Sequence, residues 1–151
     1  MAVEPYDEPA IENDDVIIRR VNRDQHVVRD EITGTLRTSS KLFSPSSGLN
    51  GGMSVDLLKL IEADGLNVQE YVTTPVFTGS VQFAAHAVRT AGLRVGYDPI
   101  KDMPGVPDNP YHGEVWGSPQ NPRKFTTTQK RALAKASTWF VELAGVEIKV
   151  P

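Results

Sequence analysis

The chain has 151 residues, 39% of them hydrophobic and 23% charged, a formal net charge of -3 and no cysteine. That length suits one domain, and the missing thiols exclude a disulfide framework, a thiolate metal site and a thiol nucleophile. No apolar run approaches the roughly 18 residues of a membrane span, and the N-terminus lacks the basic-then-apolar pattern of a secretion signal, so a soluble, cytoplasmic protein is expected.

Residues 1–15 hold six acids (Glu4, Asp7, Glu8, Glu12, Asp14, Asp15) and no base. Few large apolar groups offset their ordering entropy, so 1–13 reads as a disordered or loosely docked acidic tail. A single domain over 14–151 follows. Val16 to Val21 is β-branched and reads as a strand, with Arg19 and Arg20 on opposite faces. His26-Val27-Val28 offers a second short strand, making a hairpin across the polar turn at 22–25. Leu36 to Phe43 reads as a strand or extended segment. Ser44 to Gly52 is the most turn-rich run of the chain and must be a loop.

Ser54 is well placed to N-cap a helix carrying Leu57, Leu58 and Ile61, with Asp56 in its first turn, and Asp64-Gly65 stops it. Val68 to Thr73 suggests loop with one short strand. Val81, Ala84, Ala85 and Val88 follow the helical period, which predicts a helix closed by Gly92. Leu93 to Tyr97 is a strand ended by Asp98-Pro99. A proline- and glycine-bearing loop then runs from Ile100 to Pro110. Tyr111 to Gly117 alternates like a strand, Thr128 to Leu143 reads as the last helix, and Val146 to Val150 suggests a short edge strand. Three helices packed on a small, mainly antiparallel sheet of about five strands make the expected class α+β.

The clearest chemical cluster is Asp108-Asn109-Pro110-Tyr111-His112-Gly113-Glu114. Two residues apart on a strand, His112 and Glu114 point to one face, and a carboxylate beside an imidazole suits acid–base catalysis. The plainer alternative is a His112 bonded to a loop carbonyl and a Glu114 paired with an arginine. The histidines are His26, His86 and His112, and none forms an H-x-x-x-H or H-E-x-x-H pair. Spacing therefore assigns no metal, and only the fold could assemble such a site. Gly51-Gly52-Met53-Ser54, at a loop-to-helix junction, could meet an anion, but neither a P-loop nor a G-x-S-x-G motif is present. The basic stretch 123–135 (Arg123, Lys124, Lys130, Arg131, Lys135) could touch phosphate or receive the acidic tail. The acidic whole argues against nucleic acid.

Ser39-Ser40 with Phe43, Ser54-Val55-Asp56, Asp98-Pro99 and Asn109-Pro110 with His112 occur in an order that resembles a family of small bacterial proteins without a settled activity. That resemblance implies a compact bacterial domain and transfers no function. Arg19 or Arg20, then Ser39-Ser40, then Glu114 is similar in order to the arginine, serine and glutamate of ADP-ribosyltransferases. There the arginine holds dinucleotide phosphates and the glutamate polarises a ribose. This chain has Thr38-Ser39-Ser40 in place of Ser-Thr-Ser, and His112-Gly113-Glu114 in place of the Glu/Gln-x-Glu pattern.

Two long loops beside short polar motifs, with no complete catalytic signature, point to an accessory or binding domain. Its partner would be a protein or a small anionic ligand received by loops 44–54 and 100–114, with Arg19, Arg20, Ser39, Ser40, Ser54 and Asn109 as binding residues. No membrane partner is expected, and the sequence names no cofactor. The alternative is an enzyme using His112 and Glu114 with an arginine anion clamp, either ADP-ribosyltransferase-like or a phosphodiester hydrolase. A toxin–antitoxin or defence-associated component also fits the size and the acidic tail.

Overall fold

The computed structural model describes residues 3–47 and 50–150; Gly48 and Leu49 of the serine/glycine loop, and Met1 and Ala2 of the tail, lie outside the described residues. The class is α+β, as expected. The strands are β1 (Val16–Val21), β2 (Val27–Arg29), β3 (Leu36–Thr38), β4 (Met53–Leu57), β5 (Gly79–Ala84), β6 (Arg94–Tyr97), β7 (His112–Trp116), β8 (Thr138–Val141) and β9 (Val146–Glu147). The helices are α1 (Arg23–His26), α2 (Leu58–Ala63), α3 (Val68–Val72), α4 (Ala85–Thr90) and α5 (Thr127–Ala136), with a 3-10 turn at Ser40–Phe43. A six-stranded antiparallel sheet runs β6-β7-β4-β1-β5-β8, and β2-β3-β9 form a small second sheet. No helix among the described residues is long and apolar enough to cross a membrane.

Both faces of the large sheet are covered, which is why its strands carry apolar groups on both sides. Ile17, Val21, Val55, Leu57, Val81, Phe83, Val95 and Val115 form the larger core with Val88 of α4 and Leu133 of α5. On the opposite face Ile18 packs with Ile61 of α2, Val72 of α3 and Tyr111.

Several expectations need correction. The chain has five helices among the described residues instead of about three, and more than five strands. Ser54 caps no helix: it lies within β4, and α2 begins only at Leu58. Asp56 is likewise a strand residue. The helix expected across residues 81–91 is strand to Ala84 and helix only from Ala85. Both junctions pass from strand to helix with no intervening loop, and their N-cap residues, Leu57 and Ala84, offer no side-chain cap. No polar start signal marks them in the sequence. Residues 68–72 are helical because Asn67 caps them through Glu70 N–H. The last helix stops at Ala136; beyond Ser137 the row Thr138–Val141 becomes an edge strand on β5. β2 pairs with β3 instead of β1, so the first hairpin is not formed. The C-terminal strand does form, parallel to β3.

The acidic segment is laid along β6. Glu8 N–H donates to Val95 O at 2.9 Å, and Arg89 reaches Asp7, Glu8 O and Asn13 Oδ1. Lys59 stands near Glu12 and Asp15. Asp7 thus pairs with Arg89, and Glu12 and Asp15 with Lys59, so these acids meet Arg89 and Lys59 instead of the basic stretch. Tyr6 lies over Gly96, where any Cβ would stand 2.7 Å from its ring, and its centroid is 5.8 Å from that of Trp116. Its hydroxyl donates to Tyr97 O at 2.9 Å and accepts from Tyr97 N–H at 3.1 Å. Tyr6→Ala should cost about 1–2 kcal/mol from lost apolar cover and two hydrogen bonds. Urea unfolding measures this, and an unchanged midpoint would mean that the arm hangs loose.

Candidate functional site: a buried carboxyl–imidazole cluster

The site begins with strand register. β4 and β7 run antiparallel with Ser54 opposite Glu114 and Asp56 opposite His112. β6 flanks β7 with Gly96 opposite Glu114. Opposed residues share a face, so His112, Glu114, Ser54 and Asp56 all project to the Ile18 side of the sheet. Arg20 joins them by alternation along β1. Asp98, one residue beyond β6, is fixed by its backbone N–H donating to His112 O at 2.9 Å.

Asp98, His112 and Glu114 are 2%, 5% and 0% exposed. One ring nitrogen and one oxygen from each carboxyl lie within 4.8 Å of one another. The His112 Nδ1 atom is 2.6 Å from Asp98 O. A carbonyl only accepts, so Nδ1 carries a proton, and in the neutral imidazole the lone pair is on Nε2. That Nε2 is buried with no hydrogen-bond partner among the described residues.

The carboxyls are held by neutral donors. Glu114 Oε1 accepts from Gly52 N–H at 2.8 Å, and Oε2 accepts from the Ser47 hydroxyl at 2.7 Å. Gly52 has to be a glycine, because a Cβ there would stand 2.8 Å from Glu114 Oε1, the Trp116 ring and Val115 O at once. The Asn50 amide donates to Asp98 Oδ2. Asn50 itself is fixed by the Trp116 indole, which donates to its carbonyl at 3.2 Å, and by Val3 N–H on its side-chain oxygen. Burial pushes the Glu114 carboxyl up to about 7, and the neighbouring Asp98 carboxyl also raises it. The Ser47 and Gly52 donors pull the other way.

The expected arginine clamp is not assembled. Arg19 projects into the larger core, 4% exposed, and donates to Leu42 O, Ser54 O and Ser46 Oγ. Burial brings its pKa down to about 10, which leaves it charged at neutral pH. Arg20 shares the site's face but is committed to Asp56 through two bonds of 2.8 and 3.0 Å, and it lies over the Tyr71 ring. Asn109 belongs to the same network: its amide donates to Asp56 at 2.9 Å, and its oxygen accepts from Tyr71 OH and Tyr111 N–H. Ser39 and Ser40 lie at the 3-10 turn beside β3, where Ser40 lines a recess with Arg37 and Lys149. The arginine–serine–glutamate order therefore does not come together around Glu114. Phe125 is buried, and Arg123 folds its stem over Gly51.

His112 and Glu114 stand where sequence placed them, and Ser54 shares their face. Half of the plainer alternative also holds, since His112 does bond a loop carbonyl. Ser47 and Asn50 carry no signal of their own in the sequence, and Asp98 and Gly52 enter it only as part of a strand stop and of the glycine pair ahead of Ser54. The pairing of the strand at 93–97 with that at 111–117 was the signal for Asp98, because a residue just past the first must lie beside the start of the second. No protein-family model, curated protein or solved structure matches the chain.

Proposed function

We propose that this protein is a small binding domain whose ligand is a cation, received among Asp98, His112 and Glu114 where the loop ending at Gly52 meets the loop leaving β6. One observation carries the reading: two carboxyl oxygens and a ring nitrogen of His112, all from buried residues, lie within 4.8 Å of one another, and the donors bonded to those carboxyls come from a hydroxyl, an amide and a backbone N–H. Two carboxylates out of water cannot both ionise without a compensating charge. Arg19 and Arg20, which an anion would need, are spent on Leu42, Ser46, Ser54 and Asp56. A cation supports the arrangement, whereas an anionic ligand would meet a surplus of acceptors.

The test is thermal unfolding of chelator-treated protein with zinc chloride, magnesium chloride, spermidine or sodium phosphate. At least one of the three cations should raise Tm in the natural chain and leave an Asp98→Asn/Glu114→Gln double variant unmoved. A rise with phosphate alone, or with none of the cations, overturns the reading.

A further inference from the structure

We infer that Asp98, His112 and Glu114 form a mononuclear site for a divalent transition-metal ion, with zinc the reference case. The inference rests on the cation reading and narrows it to one class. Three observations lead to it.

Size comes first. One donor atom from each residue lies within 4.8 Å of the other two, so one atom at their centre reaches all three. Zinc-to-nitrogen and zinc-to-oxygen bonds of about 2.0–2.2 Å set tetrahedral donor separations at about 3.3–3.6 Å. The side chains need to close by at most about 1.5 Å to grip an ion.

Donor type comes second. Hard cations such as magnesium and calcium take oxygen ligands, whereas an imidazole among them favours zinc, copper, iron or nickel. His112 supplies that nitrogen in the required state. With the Nδ1 proton given to Asp98 O, Nε2 is the atom the neutral ring offers to a metal; 95% of its residue's surface is withdrawn from solvent, and it has no partner among the described residues. A buried polar atom left unbonded costs free energy, and a metal ion removes that cost.

The surrounding shell comes third. Metal-binding histidines donate their other ring N–H to a carbonyl or carboxylate, and metal-binding carboxylates are themselves hydrogen-bonded. Each of the three residues has such a partner: Asp98 O for His112, the Asn50 amide for Asp98, and Ser47 with Gly52 N–H for Glu114. These partners engage one lone pair of each carboxylate oxygen they touch and leave others for a metal. Three protein ligands leave a fourth position for water or substrate, as in sites where metals do chemistry.

The decisive experiment uses the full chain, stripped with EDTA and titrated with zinc chloride by calorimetry, and with cobalt chloride by visible absorption. One equivalent of zinc should bind, and cobalt should give d–d bands without thiolate charge transfer. Glu114→Gln and His112→Gln should each weaken zinc binding at least about tenfold, while His86→Gln, which alters an exposed imidazole, should leave it unchanged. Circular dichroism establishes that each variant is folded; should His112→Gln fail to fold, the isosteric Glu114→Gln carries the test. Absence of one-to-one zinc binding, affinity unaltered in Glu114→Gln, or loss of binding in His86→Gln each overturns the inference. If magnesium or spermidine raises Tm in the unfolding assay while zinc does not bind, the metal class falls and the cation reading stands.

Discussion

Replacing Arg19 with alanine should destabilise the protein by about 3–5 kcal/mol, the largest loss expected from any single polar side chain here. The guanidinium is 4% exposed and sits on the larger core face of β1. It donates to Leu42 O at 2.9 Å, Ser54 O at 3.0 Å and Ser46 Oγ at 3.1 Å. Truncation leaves the buried Leu42 O without its donor, at about 1–3 kcal/mol if it stays dry, and a void where the stem packed; Ser46 is exposed, so its hydroxyl turns to water. Lysine should recover little of this. Its ammonium is a compact point charge and cannot span three acceptors set in a fork. The effect should also reach the site, because Arg19 ties the segment around Leu42 and Ser46 to β4, and Ser47 is the next residue along. Urea unfolding of Arg19→Ala and Arg19→Lys reads the stability. A loss below about 1 kcal/mol would mean that water replaces the guanidinium, and that Arg19 is not what anchors the segment.

That residue also shows what was legible in the sequence. The alternation Val16 to Val21 placed Arg19 and Arg20 on opposite faces, and an arginine on a core face is rarely without partners. The sequence could not say that its partners would be two carbonyls and a serine hydroxyl some 23 to 35 residues away, since carbonyls carry no residue signature. The same limit explains the candidate site. His-x-Glu on a strand put His112 and Glu114 on one face, and that spacing survives any tertiary arrangement. Asp98 joins them only because β6 pairs with β7 in one register, a non-local fact. Where the local reading failed, at residues 54–57 and 80–84, a strand feeds directly into a helix. Val81, Phe83 and Ala85 satisfy a period of two, while Val81, Ala84, Ala85 and Val88 satisfy a helical one. Composition alone could not separate the two. The strand neighbours decide it: β4 and β5 both pair with β1, at the centre of the sheet.

Glu114→Gln should stabilise the metal-free protein above pH 7, by about 2–3 kcal/mol, and have little effect near pH 4.5. The carboxyl is fully buried, and burial lifts it from 4.5 to about 7 in the folded chain. Between those values the folded protein therefore holds a proton that the unfolded chain has released. Stability then falls as pH rises from about 4.5 to about 7 and levels off beyond, where the folded chain carries a buried charge. A shift of this size corresponds to about 3 kcal/mol. Glutamine keeps the shape, its oxygen still accepts from Gly52 N–H, and its amide can donate to Ser47 Oγ once the hydroxyl turns away. It has no charge to bury. Urea midpoints of both proteins at pH 5 and pH 8, in EDTA, measure the difference. A variant no more stable than the natural chain at pH 8 would mean that Glu114 is ionised at no cost, and so that the site carries no stored electrostatic strain. Adding zinc should reverse the ranking, because the ion supplies the positive charge that the natural site lacks and that glutamine no longer needs. A residue that weakens its own fold until a partner arrives has the energetic pattern of a binding site.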